Sequence, residues 1–245
     1  MASGHLLRVP CHGTSVAPVA SVKSPSRRGI RVRTAARKSS RGTQGTIGAV
    51  LTRAKAALLL TDVINDLDFP GSERLIRAAE AMAPRLARLA DRARRAGVPV
   101  IYVNDNFGHW QSDWRKVVTW CQRPQSPGRT VVEQLRPQAD DYFVLKPKHS
   151  GFFSTTLDLL LKQMGARTVV LAGIATDICI LFTANDAYMR DYSVVVARDC
   201  VAANTRHKTT FTLNQIRDVL KGSTPAAQSL TLAALRSLRR TGRLS

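Results

Sequence analysis

One cysteine of this sequence lies where a strand is predicted to end and a helix to begin. Residues 168–172 form a short apolar, β-branched run of the kind that a buried parallel strand requires. From Cys179 onward apolar residues recur every three or four positions, and Thr176 and Asp177 are good capping residues just before them. Cys179 is therefore predicted in the first turn of a helix, where free N–H groups and the helix dipole favour the nucleophilic thiolate.

Two further polar residues directly follow predicted strands. Asp62 comes after a strand over Ala56–Thr61, and Lys146 comes after a strand over 142–145. The carboxyl ends of the strands of an open parallel sheet share one edge, and ligands bind there. We therefore expect the carboxylate of Asp62, the ammonium of Lys146 and the thiol of Cys179 to converge on this edge.

These three groups together could hydrolyse an amide. A base within hydrogen-bond reach and a nearby cation both raise the reactive fraction of a thiol, and Asp62 and Lys146 are the candidates for these two roles. Cys179 would then attack a carbonyl carbon, and the resulting oxyanion needs N–H donors such as the backbone N–H of Cys179 itself. A water activated by Asp62 would hydrolyse the thioester.

Strands and helices alternate along the chain. The predicted strands cover Ala56–Thr61, 98–103, 142–145, 168–172 and 193–197. The predicted helices cover 84–97 with Pro84 at the start, 155–164, a segment beginning at Cys179, and 205–220. This order predicts an α/β fold, a three-layer αβα sandwich with a mostly parallel, Rossmann-like sheet of about five or six strands. Residues 104–141 are predicted to form a long irregular insertion.

Three segments resemble one known family. The sequences DVINDLDF (62–69), KPKHSGF (146–152) and GIATDIC (173–179), in this order on an α/β pattern, resemble the isochorismatase-like cysteine hydrolase superfamily. This superfamily includes nicotinamidases and ureidoacrylate or N-carbamoyl amidohydrolases. The resemblance covers about residues 55–221.

The resemblance implies roles for four residues. It implies a catalytic triad of Asp62, Lys146 and Cys179, and a small amide-type substrate. It also implies a cis peptide at Ile174–Ala175, with the Ala175 N–H as an oxyanion donor beside that of Cys179. Relatives commonly form homo-oligomers, so the resemblance implies a homo-oligomer here.

Two departures bear on the substrate. Members that cleave isochorismate lack the cysteine, so its presence favours an amidase over an ester or vinyl-ether hydrolase, which stays an alternative. Nicotinamidases carry a metal site after the second strand, formed by an aspartate and histidines, whereas 104–109 offer one of each. We therefore do not expect nicotinamidase activity. The usual D-x-x-N-D-F motif is also loosened, because Leu67 stands in the place of the phenylalanine and Phe69 follows two places later, so we expect a reshaped pocket beside Asp62.

Neither a metal nor a cofactor is expected. The five histidines show no i, i+4 pair and no H-x-H spacing. The four cysteines (Cys11, Cys121, Cys179 and Cys200) lack C-x-x-C spacing, which disfavours a zinc site and a disulfide framework.

Several other residues near the three candidates are interpreted as structural or as part of the pocket lining. Cys200 also follows a predicted strand, but no strand-to-helix turn follows it, so we interpret it as structural. Lys148 is placed at the pocket rim or in solvent, and Asp66 and Asp177 are interpreted as capping or loop residues. His149 is a candidate for the pocket lining. The aromatic residues Phe152, Phe153, Trp110 and Trp114 could shape a cleft or serve only in packing.

The formal charge of +20 lies mostly in the tails. All 17 acidic residues fall between Asp62 and Asp218, and the first 61 residues carry 11 Lys and Arg. We expect a disordered basic tail over 1–52, one hydrolase domain over 53–222, and a basic tail or helix over 223–245. Nucleic acid is not expected as a partner. A noncatalytic α/β scaffold with a basic tail that binds nucleic acid or anionic membrane is the alternative hypothesis.

The sequence predicts a protein of the cytoplasm. It contains no run of 18 apolar residues, so no membrane span is expected. The acid-free, Arg- and Ser-rich beginning also fits a transit peptide for a plastid or a mitochondrion, or an over-extended start. These three interpretations of residues 1–50 stay open.

Overall fold

The structure of the chain, a computed structural model, describes residues 55–108 and 113–231. Its strands are β1 (Ala56–Thr61), β2 (Val100–Asp105), β3 (Tyr142–Lys146), β4 (Thr168–Ile174) and β5 (Ser193–Ala202). They form one sheet in the order β3-β2-β1-β4-β5, and every neighbouring pair is parallel. The α-helices of these residues are α1 (Glu73–Arg95), α2 (Trp114–Cys121), α3 (Arg129–Gln134), α4 (Leu157–Met164), α5 (Leu181–Tyr188) and α6 (Arg206–Asp218).

Helices cover both faces of the sheet. Helices α1, α2 and α3 share a buried cluster with Leu58, Leu60 and Tyr102. Helices α4, α5 and α6 share the opposite cluster with Leu59 and Ile101. Successive residues of a strand point to opposite faces, so the uninterrupted apolar sequence of β1 is buried on both sides. The predicted three-layer α/β sandwich is confirmed, with five strands.

The strand order reverses next to β1. The chain passes from β1 to β2 and β3 on one side, and then returns to β4 and β5 on the other. Such a switch point opens a crevice at the carboxyl ends of the two central strands. Asp62 follows β1 and Cys179 follows β4, so both lie at this crevice.

Helix α1 begins eleven residues before the predicted start at Pro84. Buried residues recur every three or four positions on both sides of this proline, from Leu75 to Ala93. A proline inside a helix costs about 3 kcal/mol because it removes one backbone hydrogen bond. Burial of this continuous apolar face against the sheet outweighs that cost, so the prediction of a helix start at Pro84 was wrong.

The prediction that the segment 104–141 is irregular was wrong, because its described part contains α2 and α3. The side chain of Asp113 caps α2 by accepting the N–H of Arg115 at 2.9 Å. Val117, Val118 and Cys121 form the buried face of this helix. A two-turn helix carries too few apolar positions for its period to be detected in the sequence.

The chain after α6 returns to the surface of α1. The guanidinium of Arg92 donates to the carbonyl oxygens of Ala227 at 2.9 Å and of Leu230 at 2.6 Å. Residues 1–52 and 232–245, on which part of the tail predictions falls, lie outside the described residues, and the domain limits stay a prediction. None of the helices in the described part of the chain is long and apolar enough to cross a membrane.

Candidate active site

Asp62 is held by the neighbouring strand β2. It adopts a left-handed φ of 51°, which is uncommon for a residue other than glycine. Its N–H donates to the carbonyl oxygen of Val103 at 3.0 Å, and its Oδ1 accepts the N–H of Asp105 at 2.8 Å. The residue is only 4% exposed. The backbone of β2 therefore fixes the position of the Asp62 carboxylate.

The loop that begins at Asp62 is anchored at two more points. The buried side chain of Asn104 accepts the N–H of Ile64 at 3.2 Å and donates to its carbonyl oxygen at 2.5 Å. The N–H of Gly128 donates to the carbonyl oxygen of Asp66 at 2.7 Å. A Cβ atom at position 128 would collide with the backbone of Asn65, so only glycine permits this close approach. Asp66 also accepts the indole N–H of Trp120 at 2.9 Å, which agrees with a structural role.

Lys146 is the last residue of β3, one position beyond the predicted strand end, and it is fully buried. Its Nζ atom lies 2.9 Å from Oδ2 of Asp62 and 3.6 Å from Sγ of Cys179. The same atom lies 3.6 Å from Oδ2 of Asp105, which pairs with Lys146 in the register of β2 and β3. Lys148, the rival cation, is exposed. The structure thus brings the three predicted residues together.

Cys179 does not lie in the first turn of an α-helix as predicted. It belongs to a five-residue π-helical turn, Thr176–Ile180, and α5 follows directly after this turn. The peptide bond between Ile174 and Ala175 is cis, as the family resemblance implied. An apolar spacing of three and four residues cannot distinguish a single π turn from the first turn of an α-helix.

A close contact between strands brings the end of β4 to the end of β1. Gly173 has a φ of 120°, and a Cβ atom there would collide with the backbone of Thr61. Thr61 and Gly173 are register partners. The residue after Thr61 is Asp62, and Cys179 follows Gly173 by one short turn. The glycine therefore allows the approach of the two segments that carry the carboxylate and the thiol.

Burial dominates the protonation of this cluster. It raises the pKa of Asp62, although the Lys146 ammonium and a hydrogen bond from the Cys179 thiol favour the charged carboxylate. Burial alone would lower the pKa of Lys146, but Asp62, Cys179 and Asp105 outweigh it, and that pKa is raised. Burial and the charge of Asp62 together raise the pKa of Cys179, and Lys146 offsets them only in part. Burial and the Asp62 carboxylate thus oppose the thiolate that the sequence led us to expect, and the Lys146 ammonium favours it.

A cavity of about 320 Å³ opens at this cluster. Asp62, Asp105, Ala175 and Cys179 line it, together with the apolar side chains Leu75, Ile174 and Ile178, Phe69 and Phe107, and the predicted lining residue His149. Lys208 of α6 and Asp177 of the π turn form an ion pair of 2.8 Å at the cavity. Sequence reasoning missed Lys208, because α6 is remote in sequence and carries no motif. The segment that contains Asp105 was compared only with the metal site of nicotinamidases, which it does not match, although Asp105 also stands at the carboxyl end of a strand.

The two other cysteines of the described residues do not line the cavity. Cys121 and Cys200 are fully buried in α2 and β5, and burial raises the pKa of each thiol to about 12.

Two of the predicted cleft residues serve in packing. Trp114 stacks on Phe143 at 4.3 Å, and Phe152 is buried against Tyr192. Trp110 and His109 lie outside the described residues. Within 55–108 and 113–231, no group of three or more His, Cys, Asp or Glu residues could hold a metal ion.

Comparisons with known proteins agree with this fold. The family model described as the isochorismatase domain matches residues 56–228. The uncharacterized isochorismatase family protein YaaI of Bacillus subtilis is 39% identical over 170 residues, which are 69% of this chain and 93% of that protein. Ureidoacrylate amidohydrolase RutB of Serratia proteamaculans is 30% identical over 59% of this chain and 68% of its own length.

A solved structure gives the same result. The crystal structure of N-carbamoylsarcosine amidase from Thermoplasma acidophilum superposes with a TM-score of 0.56 and 28% sequence identity. The superposition covers 72% of this chain and 99% of the amidase. Similarity in sequence and similarity in fold therefore lead to the same family.

Proposed function

The chain belongs to the isochorismatase family of hydrolases, and we propose that it is a cysteine-dependent member that cleaves a small amide or a related C–N bond. One observation carries this proposal. The ammonium of Lys146 lies 2.9 Å from Asp62 and 3.6 Å from the thiol of Cys179, and both Asp62 and Cys179 line one cavity. The names of two similar proteins, an amidohydrolase and an amidase, support a C–N bond as the target.

The first step is attack by Cys179 on the carbonyl carbon of the amide. Because burial raises the pKa of the thiol, the proton leaves as the S–C bond forms, and Asp62 accepts it as general base. Lys146 stabilises the charge that develops on sulfur during this transfer, since its ammonium lowers the pKa of the same thiol. Proton transfer and attack on the carbonyl carbon therefore occur together.

The second requirement is stabilisation of the oxyanion. Attack moves an electron pair onto the carbonyl oxygen, and the backbone N–H groups of Ala175 and Cys179 are the proposed donors to it. Both residues line the cavity next to the thiol. Removal of one such donor in a hydrolase typically costs about 100-fold to 1,000-fold in turnover.

The tetrahedral intermediate then collapses to a thioester, and water hydrolyses that thioester. The C–N bond breaks, Asp62 returns its proton to the leaving nitrogen, and a thioester on Cys179 and a free amine result. Asp62 next takes a proton from water, whose oxygen attacks the thioester carbon. The proton on Asp62 passes to the departing sulfur, so the site regains its starting state and the acid is released.

The cavity limits the substrate to a small molecule. Its volume of about 320 Å³ is at the lower end of the range for ligand pockets. Lys208 and Asp177 add one positive and one negative group to the lining. The substrate panel should therefore contain neutral amides, amides with a carboxylate, ureido acids and simple esters.

The test measures ammonia, amine or acid release across this panel for the wild type and for Cys179→Ala. We expect at least one amide or ureido compound to be hydrolysed, and the variant to lose about 1,000-fold or more of that activity. Cys200→Ala is the matched control, since it removes a thiol that does not line the cavity. Unchanged turnover by Cys179→Ala would refute the proposal, and turnover of esters alone would favour the ester-hydrolase alternative.

A further inference from the structure

The buried ammonium of Lys146 contacts two carboxylates. Its side chain is fully buried, and its Nζ atom lies 2.9 Å from Asp62 and 3.6 Å from Asp105. One ammonium balances only one carboxylate, so the cluster holds one more negative group than a simple ion pair requires. The mechanism described above gives Asp105 no role.

Asp105 is only partly buried and contacts both Asp62 and Lys146. Its side chain is 33% exposed, so water solvates one side of the carboxylate. Its Oδ1 atom accepts the N–H of Phe107 at 2.7 Å, and Oδ2 is the atom that faces Lys146. Its own N–H holds Oδ1 of Asp62 at 2.8 Å. Asp105 therefore contacts both members of the Asp62–Lys146 pair but, unlike them, is partly exposed to solvent.

The proposed reaction, on which this inference rests, removes the charge of Asp62 twice in each cycle. Asp62 becomes neutral when it takes the thiol proton, and again when it takes a proton from water. The ammonium of Lys146 is fully buried in the structure. A buried charge without a partner is strongly unfavourable, so Lys146 then requires another counter-ion or must lose its proton.

We propose that Asp105 is a positioning residue that serves as the permanent counter-ion of Lys146 while Asp62 carries the transferred proton. Asp105 keeps Lys146 charged and in place through both intermediates, and it forms no bond to the substrate. The two carboxylates thus divide the work: Asp62 exchanges protons and Asp105 holds the charge constant.

Other charged groups near the cluster do not fill this role. Cys179 faces Lys146 from the π turn, but its sulfur is bonded to the substrate in the intermediates. Asp177 is paired with Lys208 of α6 at 2.8 Å, and His149 lines the cavity from the loop after β3. Of the cavity-lining carboxylates in the described part of the chain, Asp105 is thus the one left for Lys146. The raised pKa of Lys146, to which Asp105 contributes, is consistent with this role.

The test titrates Lys146 directly and needs no substrate. Full-length protein labelled with [ε-13C]lysine is followed by NMR from pH 6 to 11, and the Lys146 signal is assigned by its loss in Lys146→Arg. Asp62→Asn imitates the neutral, protonated state of Asp62. We expect Lys146 to stay charged past pH 9 in this variant. Its titration midpoint should fall by about one pH unit or more when Asp105→Asn is added.

A matched control separates a contact from a general field effect. Asp62→Asn combined with Asp177→Asn removes a charge of the same sign from the same cavity, and it should leave the Lys146 midpoint where Asp62→Asn puts it. The proposal is overturned if adding Asp105→Asn does not move the midpoint, or moves it no more than Asp177→Asn does. Should the double variant not fold, Asp105→Asn alone is compared with the wild type under the same criterion.

Turnover provides a second readout. With the best substrate of the panel, Asp105→Asn should lower kcat more than it changes KM, and the alkaline limb of the kcat profile should move to lower pH. Asp105→Glu should restore part of kcat. Loss of all activity in Cys179→Ala with no shift in Asp105→Asn would overturn the counter-ion role alone, whereas an active Cys179→Ala would overturn the proposed function.

Discussion

The Nζ atom of Lys146 lies 3.6 Å from Sγ of Cys179. Lys146 is fully buried at the end of β3, and Cys179 belongs to the π turn after β4, so the contact joins two separate segments of the chain. This proximity lowers the pKa of the thiol but does not decide the direction of its shift. Burial and the nearby carboxylate of Asp62 raise the pKa of the thiol more than Lys146 lowers it. The site is therefore organised for proton transfer during attack, and several predictions about charge depend on this balance.

Asp62→Asn should have opposite effects on alkylation and on turnover. Loss of the carboxylate charge lowers the pKa of Cys179, so iodoacetamide near neutral pH should react faster. The gain should be about threefold for each unit by which the pKa falls, since a less basic thiolate is also less nucleophilic. Turnover should fall by about 100-fold to 10,000-fold, because the general base is lost. Peptide mapping gives the first rate and the amide assay gives the second.

Cys121 and Cys200 serve as internal references in the same labelling experiment. Both are fully buried, so they should react more slowly than Cys179 in folded protein. Slower labelling of Cys179 in Asp62→Asn than in the wild type would show that Asp62 does not raise the pKa of this thiol.

Lys146→Met should destabilise the fold by about 3–5 kcal/mol, because it leaves the buried carboxylate of Asp62 without its cation. Urea unfolding at pH 7 measures this loss. The double variant Lys146→Met with Asp62→Asn contains neither charge and should recover a large part of it. An additive double variant would mean that the pair is not coupled.

The loss of unfolding free energy in Lys146→Met should also depend on pH. The pKa of Asp62 in the folded protein is raised above 3.8 by burial, and removal of the cation raises it further. The folded state then binds a proton more tightly than the unfolded state. The penalty is present above the folded pKa and shrinks as the pH falls through that value towards 3.8. Unfolding curves between pH 7 and 4 should show this trend, and a deficit that does not change with pH would contradict it.

Gly173→Ala should disturb the contact between β1 and β4. Gly173 has a positive φ, and a Cβ atom there would strike the backbone of Thr61. We expect a loss of more than about 3 kcal/mol in the free energy of unfolding. Gly165→Ala is the control, since Gly165 also has a positive φ but open space around it, and the expected loss is about 1–2 kcal/mol. Equal losses would mean that the close approach to Thr61 is unimportant.

The sequence was sufficient to predict that three polar residues meet at one edge of the sheet. Asp62, Lys146 and Cys179 each stand at the carboxyl end of a buried strand, and the parallel sheet brings such ends together whatever the distance in sequence. The ends of helices that depend on tertiary packing could not be predicted from the sequence. Pro84 indicates a helix start by local rules, but burial of a long apolar face carries α1 through it.

The electrostatics of the site could not be obtained from residue types. The helix start predicted a thiolate at Cys179, whereas burial and the charge of Asp62 raise the pKa of this thiol. Asp105 and Lys208 enter the site through strand register and through a helix that returns to the cavity. Asp105 stands at the end of β2, a position that the sequence does indicate, whereas Lys208 has no local signal in the sequence.

The proposed thioester on Cys179 can be detected by mass. The protein is mixed with p-nitrophenyl acetate, an activated ester small enough for the cavity, quenched with acid within the first turnover, and mapped by peptide mass spectrometry. We expect an acetyl group on Cys179 that forms with the release of p-nitrophenol and disappears with time. Release of p-nitrophenol at the wild-type rate by Cys179→Ala, or turnover with Cys179 never acetylated, would show that no thioester on Cys179 lies on the reaction path.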